Sequence, residues 1–134
     1  MLETEYKSKL VICSEQLIAK TLDCAFKVHK ELGVGLLESV YEKALLFELQ
    51  EIGVKANSQV DIPVVYRGNH LGVGFRADII VNNSFLVELK CVDKINNVHL
   101  AQTITYLKLL KYKRGLILNF NVTLLKNGIK RVSI

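Results

Sequence analysis

Along the first quarter of the chain, apolar or small side chains return at Leu10, Ser14, Leu17, Thr21, Ala25, Val28 and Leu32, in steps of four and three. Steps of that size place all of them on a single helical face. Two glycines in Glu31-Leu-Gly-Val-Gly35 interrupt the run, and a second helix is expected from about Leu37 to Ile52, stopped at Gly53. Beyond Gly53 the texture becomes β-branched and alternating. Gln59 to Tyr66, Gly72 to Val81 and Phe85 to Val92 predict three antiparallel strands in a meander, with turns at Arg67-Gly-Asn-His70 and Asn82-Asn-Ser84. Pro63, the only proline, cannot donate to a ladder and marks the first strand as an edge. A helical pattern returns from about Asn97 to Leu110, with Asn96 or Asn97 as its N-cap. Gly115 to Phe120 then reads as a buried strand, and Thr123 to Val132 as a strand or a hairpin turning at Asn127-Gly128. The predicted order is α-α-β-β-β-α-β-β, an α/β (α+β) fold with a central mixed sheet flanked by helices.

A chain of 134 residues, half of them hydrophobic and 23% charged, is expected to fold around one core, which excludes a disordered segment or a disulfide-stapled miniature. No linker, repeat or low-complexity tract divides it, so residues 1–134 are read as a single domain. Cys13, Cys24 and Cys91 have no C-x-x-C spacing and sit among apolar neighbours; free buried thiols in a reducing, cytoplasmic setting are expected. The opening MLETEYKSKL mixes both charge signs, unlike a signal peptide, and no apolar run approaches the ~20 residues of a membrane span, so no membrane partner is expected.

Chemistry concentrates in Phe75-Arg-Ala-Asp-Ile-Ile-Val-Asn-Asn-Ser-Phe-Leu-Val-Glu-Leu-Lys-Cys91. Asp78, Glu88 and Lys90 stand in otherwise apolar strands, where an uncompensated charge costs several kcal/mol. The two-residue period puts Glu88 and Lys90 on one strand face, with Val87, Leu89 and Cys91 on the other. On the preceding strand the apolar set is Ala77, Ile79 and Val81. The two strands share an apolar face only if Val81 pairs with Phe85, and that register sets Asp78 across from Glu88. Adjacent carboxylates need a shared proton, a basic partner or a cation. All-oxygen ligands suit Mg²⁺ or Mn²⁺, which lower the pKa of bound water and clamp phosphate, while Lys90 positions that water or offsets negative charge. Phosphodiester hydrolysis is the chemistry implied. The plain alternative is a structural salt bridge of Asp78 or Glu88 with Arg76 or Lys90.

An Asp near the end of one strand, E-x-K on its hairpin neighbour and a following helix resemble the PD-(D/E)XK nuclease superfamily, here Arg76-Ala-Asp78 and Glu88-Leu-Lys90. Ala77 stands where the proline of the superfamily's name would be. The downstream Ala-Gln102-Thr-Ile-Thr-Tyr106-Leu is similar to the Q-x-x-x-Y motif of RecB-like nucleases, and Gly35-Leu-Leu-Glu38-Ser-Val-Tyr41 to the motif of the GxxExxY protein family. The resemblance covers roughly residues 28 to 120. It implies that Asp78 and Glu88 are metal ligands, Lys90 the catalytic lysine and Glu38 the helical acid completing the site. Gln102 and Tyr106 would support the site or the nucleic-acid backbone.

Glu42, one turn beyond Glu38, is the rival ligand if the helix is rotated, and Tyr41 is read as a packing residue. His29, His70 and His99 lack zinc spacing, though His29 and His99 could each lie near the site. Net charge is +5, and Lys108, Lys111, Lys113 and Arg114 gather within seven residues. Such a run either contacts the phosphates of DNA or RNA or is a solvated helix end with cations at its negative pole. Three functions follow: a metal-dependent nuclease, a nucleic-acid-binding module without turnover, and a protein-interaction subunit, a homodimer being one form.

Overall fold

A computed structural model describes the backbone of residues 2–134 and side chains from residue 15 onward, Val73 excepted. Helices α1 (Leu2–Leu32) and α2 (Glu38–Glu51) precede strands β1 (Ala56–Tyr66), β2 (Asn69–Val81) and β3 (Phe85–Lys90). Helix α3 (Asn97–Leu110), strand β4 (Arg114–Asn119), a 3-10 turn (Leu125–Gly128) and strand β5 (Ile129–Ser133) complete the expected order. The positions Leu10, Cys13 and Ser14 lie outside the described side chains. Cys24 is buried and Cys91 partly so, both as free thiols.

The sheet runs β1-β2-β3-β4-β5, with neighbours antiparallel except for β3 and β4. Those two are parallel because α3 carries the chain back across one face before β4 begins. Residues of α1 and α2, including Ala25, Val28, Leu45 and Leu49, pack on one side against Ile79, Val81, Val87, Leu89, Leu116 and Leu118. Tyr106 and Leu107 of α3 cover the other side with Ile62, Ile80, Leu86, Ile117 and Val132. Strands β3 and β4 are therefore buried on both faces, which is why they read as near-continuous apolar runs. A carboxylate in β3 has no solvent face to turn to.

Pro63 lies on the edge strand, as its missing N–H requires. Gly74 opposes it, and a side chain there would run into the Ile62 carbonyl, so the glycine permits the close approach at the irregularity between Pro63 and Val65.

Two expectations are corrected. Ala77 does not share the face of Ile79 and Val81; it packs with Ile62 on the α3 side. Simple alternation fails at Asp78, opposite which Gln59 takes φ 52°, and facing reverses across that point in both strands. Nor do Asn127 and Gly128 form a two-residue hairpin. The β4–β5 connection is longer and ends in the 3-10 turn, its Asn127 N–H donating to the Leu124 carbonyl at 2.9 Å.

Gly128 is buried at the end of that turn, and a Cβ there would collide with the Asn119 carbonyl oxygen. Gly128→Ala is expected to destabilise the protein by about 1–3 kcal/mol through overpacking against backbone. Chemical denaturation with an unchanged midpoint would contradict this close approach.

Candidate active site

The β2–β3 register is Val81↔Phe85, Ile80↔Leu86 and Ile79↔Val87, as the matched apolar sets require. A three-residue turn, Asn82 to Ser84, makes that register; both asparagines take positive φ, and the Ser84 N–H donates to the Val81 carbonyl at 3.0 Å. Regular pairing stops one residue before Asp78 and Glu88. There the carboxylates take the place of ladder partners: the Asp78 N–H donates to Glu88 Oε1 at 3.2 Å, and the Leu89 N–H donates to Asp78 Oδ2 at 2.8 Å. Each acid is thus pinned by the other's strand, so the pair is built into the sheet rather than hung from it.

Glu88 is only 5% exposed. Burial, followed by the charge of Asp78, pushes its carboxyl from 4.5 up to about 9, against the smaller opposing effects of the Asp78 N–H and the Lys90 ammonium. Lys90, partly buried, forms no ion pair among the described residues, and Arg76 is engaged with Asp61 at 3.3 Å. The simple salt-bridge reading of Asp78 and Glu88 is therefore not what the side chains adopt.

Glu38 opens α2, and its carboxyl lies near Asp78 and Lys90. Partial loss of water and the charge of Asp78 raise its pKa, while Lys90 opposes the rise. Glu42, one turn later, is buried and also raised, first by burial and then by Asp78 against the Gln59 amide that donates to its Oε1 at 2.7 Å. Gln59 was missed by pattern reading, since nothing in a polar residue of an edge strand marks a left-handed backbone. The three acids expected to share a cation are not a ready cluster: among the described residues no three of His, Cys, Asp and Glu are grouped to hold one. Asp78 and Glu88 supply two carboxylates, which suits a hard ion that keeps much of its water.

From the opposite face, Tyr106 packs its ring against Phe75 at 5.1 Å. Burial and the charges of Glu88 and Asp78 raise its hydroxyl pKa. Gln102, one turn earlier on the same helical face, is exposed. Behind the site, buried Asn119 donates to the Val92 carbonyl at 2.8 Å and accepts from its N–H at 3.1 Å, fixing the chain just after Lys90.

Other residues fall into packing roles or lie farther away. Tyr41 is 1% exposed, stacks on Phe120 at 4.6 Å, and donates to the Gly33 carbonyl at 2.5 Å, closing the glycine break between α1 and α2. His29 contacts the Val122 carbonyl, and His99 forms the N-terminal capping box of α3 with Asn96. Lys108 sits in the last turn of α3, Lys111 is its left-handed C-cap, and Arg114 pairs with Glu15 of α1. Since Gly115 aligns with Leu86 and Asn119 with Lys90, this basic run flanks the opposite end of β4, roughly 13–17 Å from Lys90 at ~3.3 Å per residue.

Paired acids and a lysine stand at the end of a β-hairpin, with an acidic helix before them and a crossover helix after. The sequence family described as the PD-(D/E)XK nuclease superfamily matches residues 15–132, and the chain belongs to it. No curated protein and no solved structure matches the chain. The superfamily's nucleases generally use divalent metal ions. Among the described residues no helix is long and apolar enough to cross a membrane.

Folding raises the pKa of Glu88, Glu38 and Glu42, so without metal the folded protein holds more protons than the unfolded chain above about pH 4.5. Its stability should be greatest at the acid side and fall as pH rises through 4.5 toward 9. Glu88→Gln should flatten that fall and raise the metal-free Tm near pH 8 by a few degrees. Thermal unfolding between about pH 5 and 9 checks this; parallel curves for both proteins would remove Glu88 as the source.

Proposed function

We propose that this chain is a divalent-metal-dependent nuclease that hydrolyses phosphodiester bonds of DNA or RNA at Asp78, Glu88 and Lys90. The observation that carries the reading is the Asp78–Glu88 pair, with Glu88 buried, locked by reciprocal backbone hydrogen bonds beside a lysine that forms no ion pair among the described residues. A protein gains no stability from holding such a pair, whereas a cation would relieve the repulsion and replace the proton that burial otherwise forces onto Glu88. Mg²⁺ or Mn²⁺ held by these oxygens would supply an activated water and a clamp on the phosphate.

The chain's own groups divide the remaining work. Asp78 and Glu88 are the ligands, and the β2–β3 register keeps them together. Lys90 offsets charge developing on the attacked phosphate or orients the water. Glu38 adds negative charge at the N-terminus of α2, and Tyr106 and Gln102 bound the site from α3. Lys108, Lys111 and Lys113 hold phosphates a few nucleotides away from the reacting one, while Arg114 is tied to Glu15.

Mn²⁺ should raise the Tm of the wild type by binding only the folded state, and Glu88→Gln should abolish the rise. Equal shifts in both proteins would place the ion elsewhere.

Asp78→Ala, Glu88→Ala and Lys90→Ala should each lower metal-dependent cleavage by roughly two orders of magnitude or more, with double variants little worse than single ones. Replacing Lys111 and Lys113 should instead weaken binding uniformly across sequences and flatten the log–log salt dependence by about one unit for each phosphate no longer neutralised. Lys90→Ala should leave that slope nearly unchanged. Binding without cleavage under any divalent metal would identify a non-catalytic nucleic-acid module, and absence of both would favour a protein-interaction subunit.

A further inference from the structure

A left-handed residue occupies the middle of β1. Gln59 has φ 52°, a region that non-glycine residues enter chiefly at turns, and it does so in a strand rather than a turn. Pairing between β1 and β2 includes Ser58↔Ile79 and Val60↔Ala77, so the missing pair is Gln59 and Asp78. Across that gap the inward faces exchange: Ile79 packs beneath α1 and α2, whereas Ala77 and Ile62 pack toward α3.

The Gln59 side chain does not explain its conformation by packing, because the residue is exposed. What it makes is a 2.7 Å hydrogen bond from Nε2 to Glu42 Oε1. Glu42 is 9% exposed and close enough to Asp78 to feel its charge. A strained strand residue thus reaches from the break beside one acid of the site to another acid on the neighbouring helix.

We propose that Gln59 is a positioning residue of this site, and that Glu42 is its outer carboxylate. The left-handed backbone aims the Gln59 amide at α2, where it fixes one oxygen of Glu42. The other oxygen is left to accept hydrogen bonds from the waters that a hard cation at Asp78 and Glu88 would retain. This inference rests on the reading of those two acids as the ligands. It assigns Glu42 the supporting role on α2 and explains why β1 carries strain opposite Asp78.

Glycine adopts φ near 50° without strain, so Gln59→Gly separates the backbone from the side chain. Metal-free Tm should be held or raised, yet the Mn²⁺ concentration giving half the thermal shift should rise about tenfold, within the range seen for outer-shell groups. Gln59→Asn tolerates the backbone but is one methylene shorter, and should weaken Mn²⁺ in the same direction. Glu42→Gln should produce a similar rise, and combining it with Gln59→Gly should add little, because the two act through one contact. An unchanged Mn²⁺ midpoint in Gln59→Gly, with the shift still abolished in Glu88→Gln, would overturn this inference alone. Additive effects of Gln59→Gly and Glu42→Gln would overturn the coupling between them. A wild type that shows no Mn²⁺ shift would instead overturn the ligand reading, and this inference with it.

Discussion

Two carboxylates held side by side at the end of a hairpin ladder set the terms for the rest of this molecule. Glu88 lies in a strand covered on both faces, so it can neither turn to solvent nor relax away from Asp78. Reciprocal hydrogen bonds from the Asp78 and Leu89 N–H groups fix the geometry while leaving the like charges unrelieved. Burial and repulsion act in the same direction on Glu88, and a proton or a cation resolves both.

The surrounding fold makes that arrangement rigid from several sides. The parallel β3–β4 pairing seats Lys90 beside Asn119, whose amide ties down Val92 and so fixes the backbone leaving the site. Helix α2 brings Glu38 and Glu42 from one side, and Tyr41 anchors the start of that helix through Phe120 and the Gly33 carbonyl. Helix α3 closes the other side with Tyr106. The acids and the main basic run occupy separate ends of the sheet. A long polyanion could therefore be held at the lysines while one phosphate approaches the acids, without the lysines neutralising the carboxylates first.

Much of this was legible in the amino-acid order. The helical periodicity from Leu17 to Leu32, the glycine break, the polar turns and the alternating strands gave the element order. The apolar sets of β2 and β3 also gave their pairing, since a one-residue slip would have exposed one set to water. From that register the proximity of Asp78 and Glu88 followed directly, because both lie within a few residues of the same turn. Local periodicity carries such information well when one face is buried and the connection is short.

What the order of residues did not disclose depended on contacts between distant segments or on departures from regular backbone. Alternation assigned Ala77 to the wrong face because a period of two assumes an unbroken facing, and along β2 the facing reverses at Asp78, opposite the left-handed Gln59 of β1. The Asn127-Gly128 pair satisfied the rule for a tight hairpin, but the chain had to travel from the end of β4 through a 3-10 turn before β5 could pair. Asn119, distant in sequence from Val92, acquired its role only when the parallel crossover brought them together. Hydrophobic pattern determines which face of an element is buried, whereas the particular polar group waiting opposite each acid is chosen by tertiary packing.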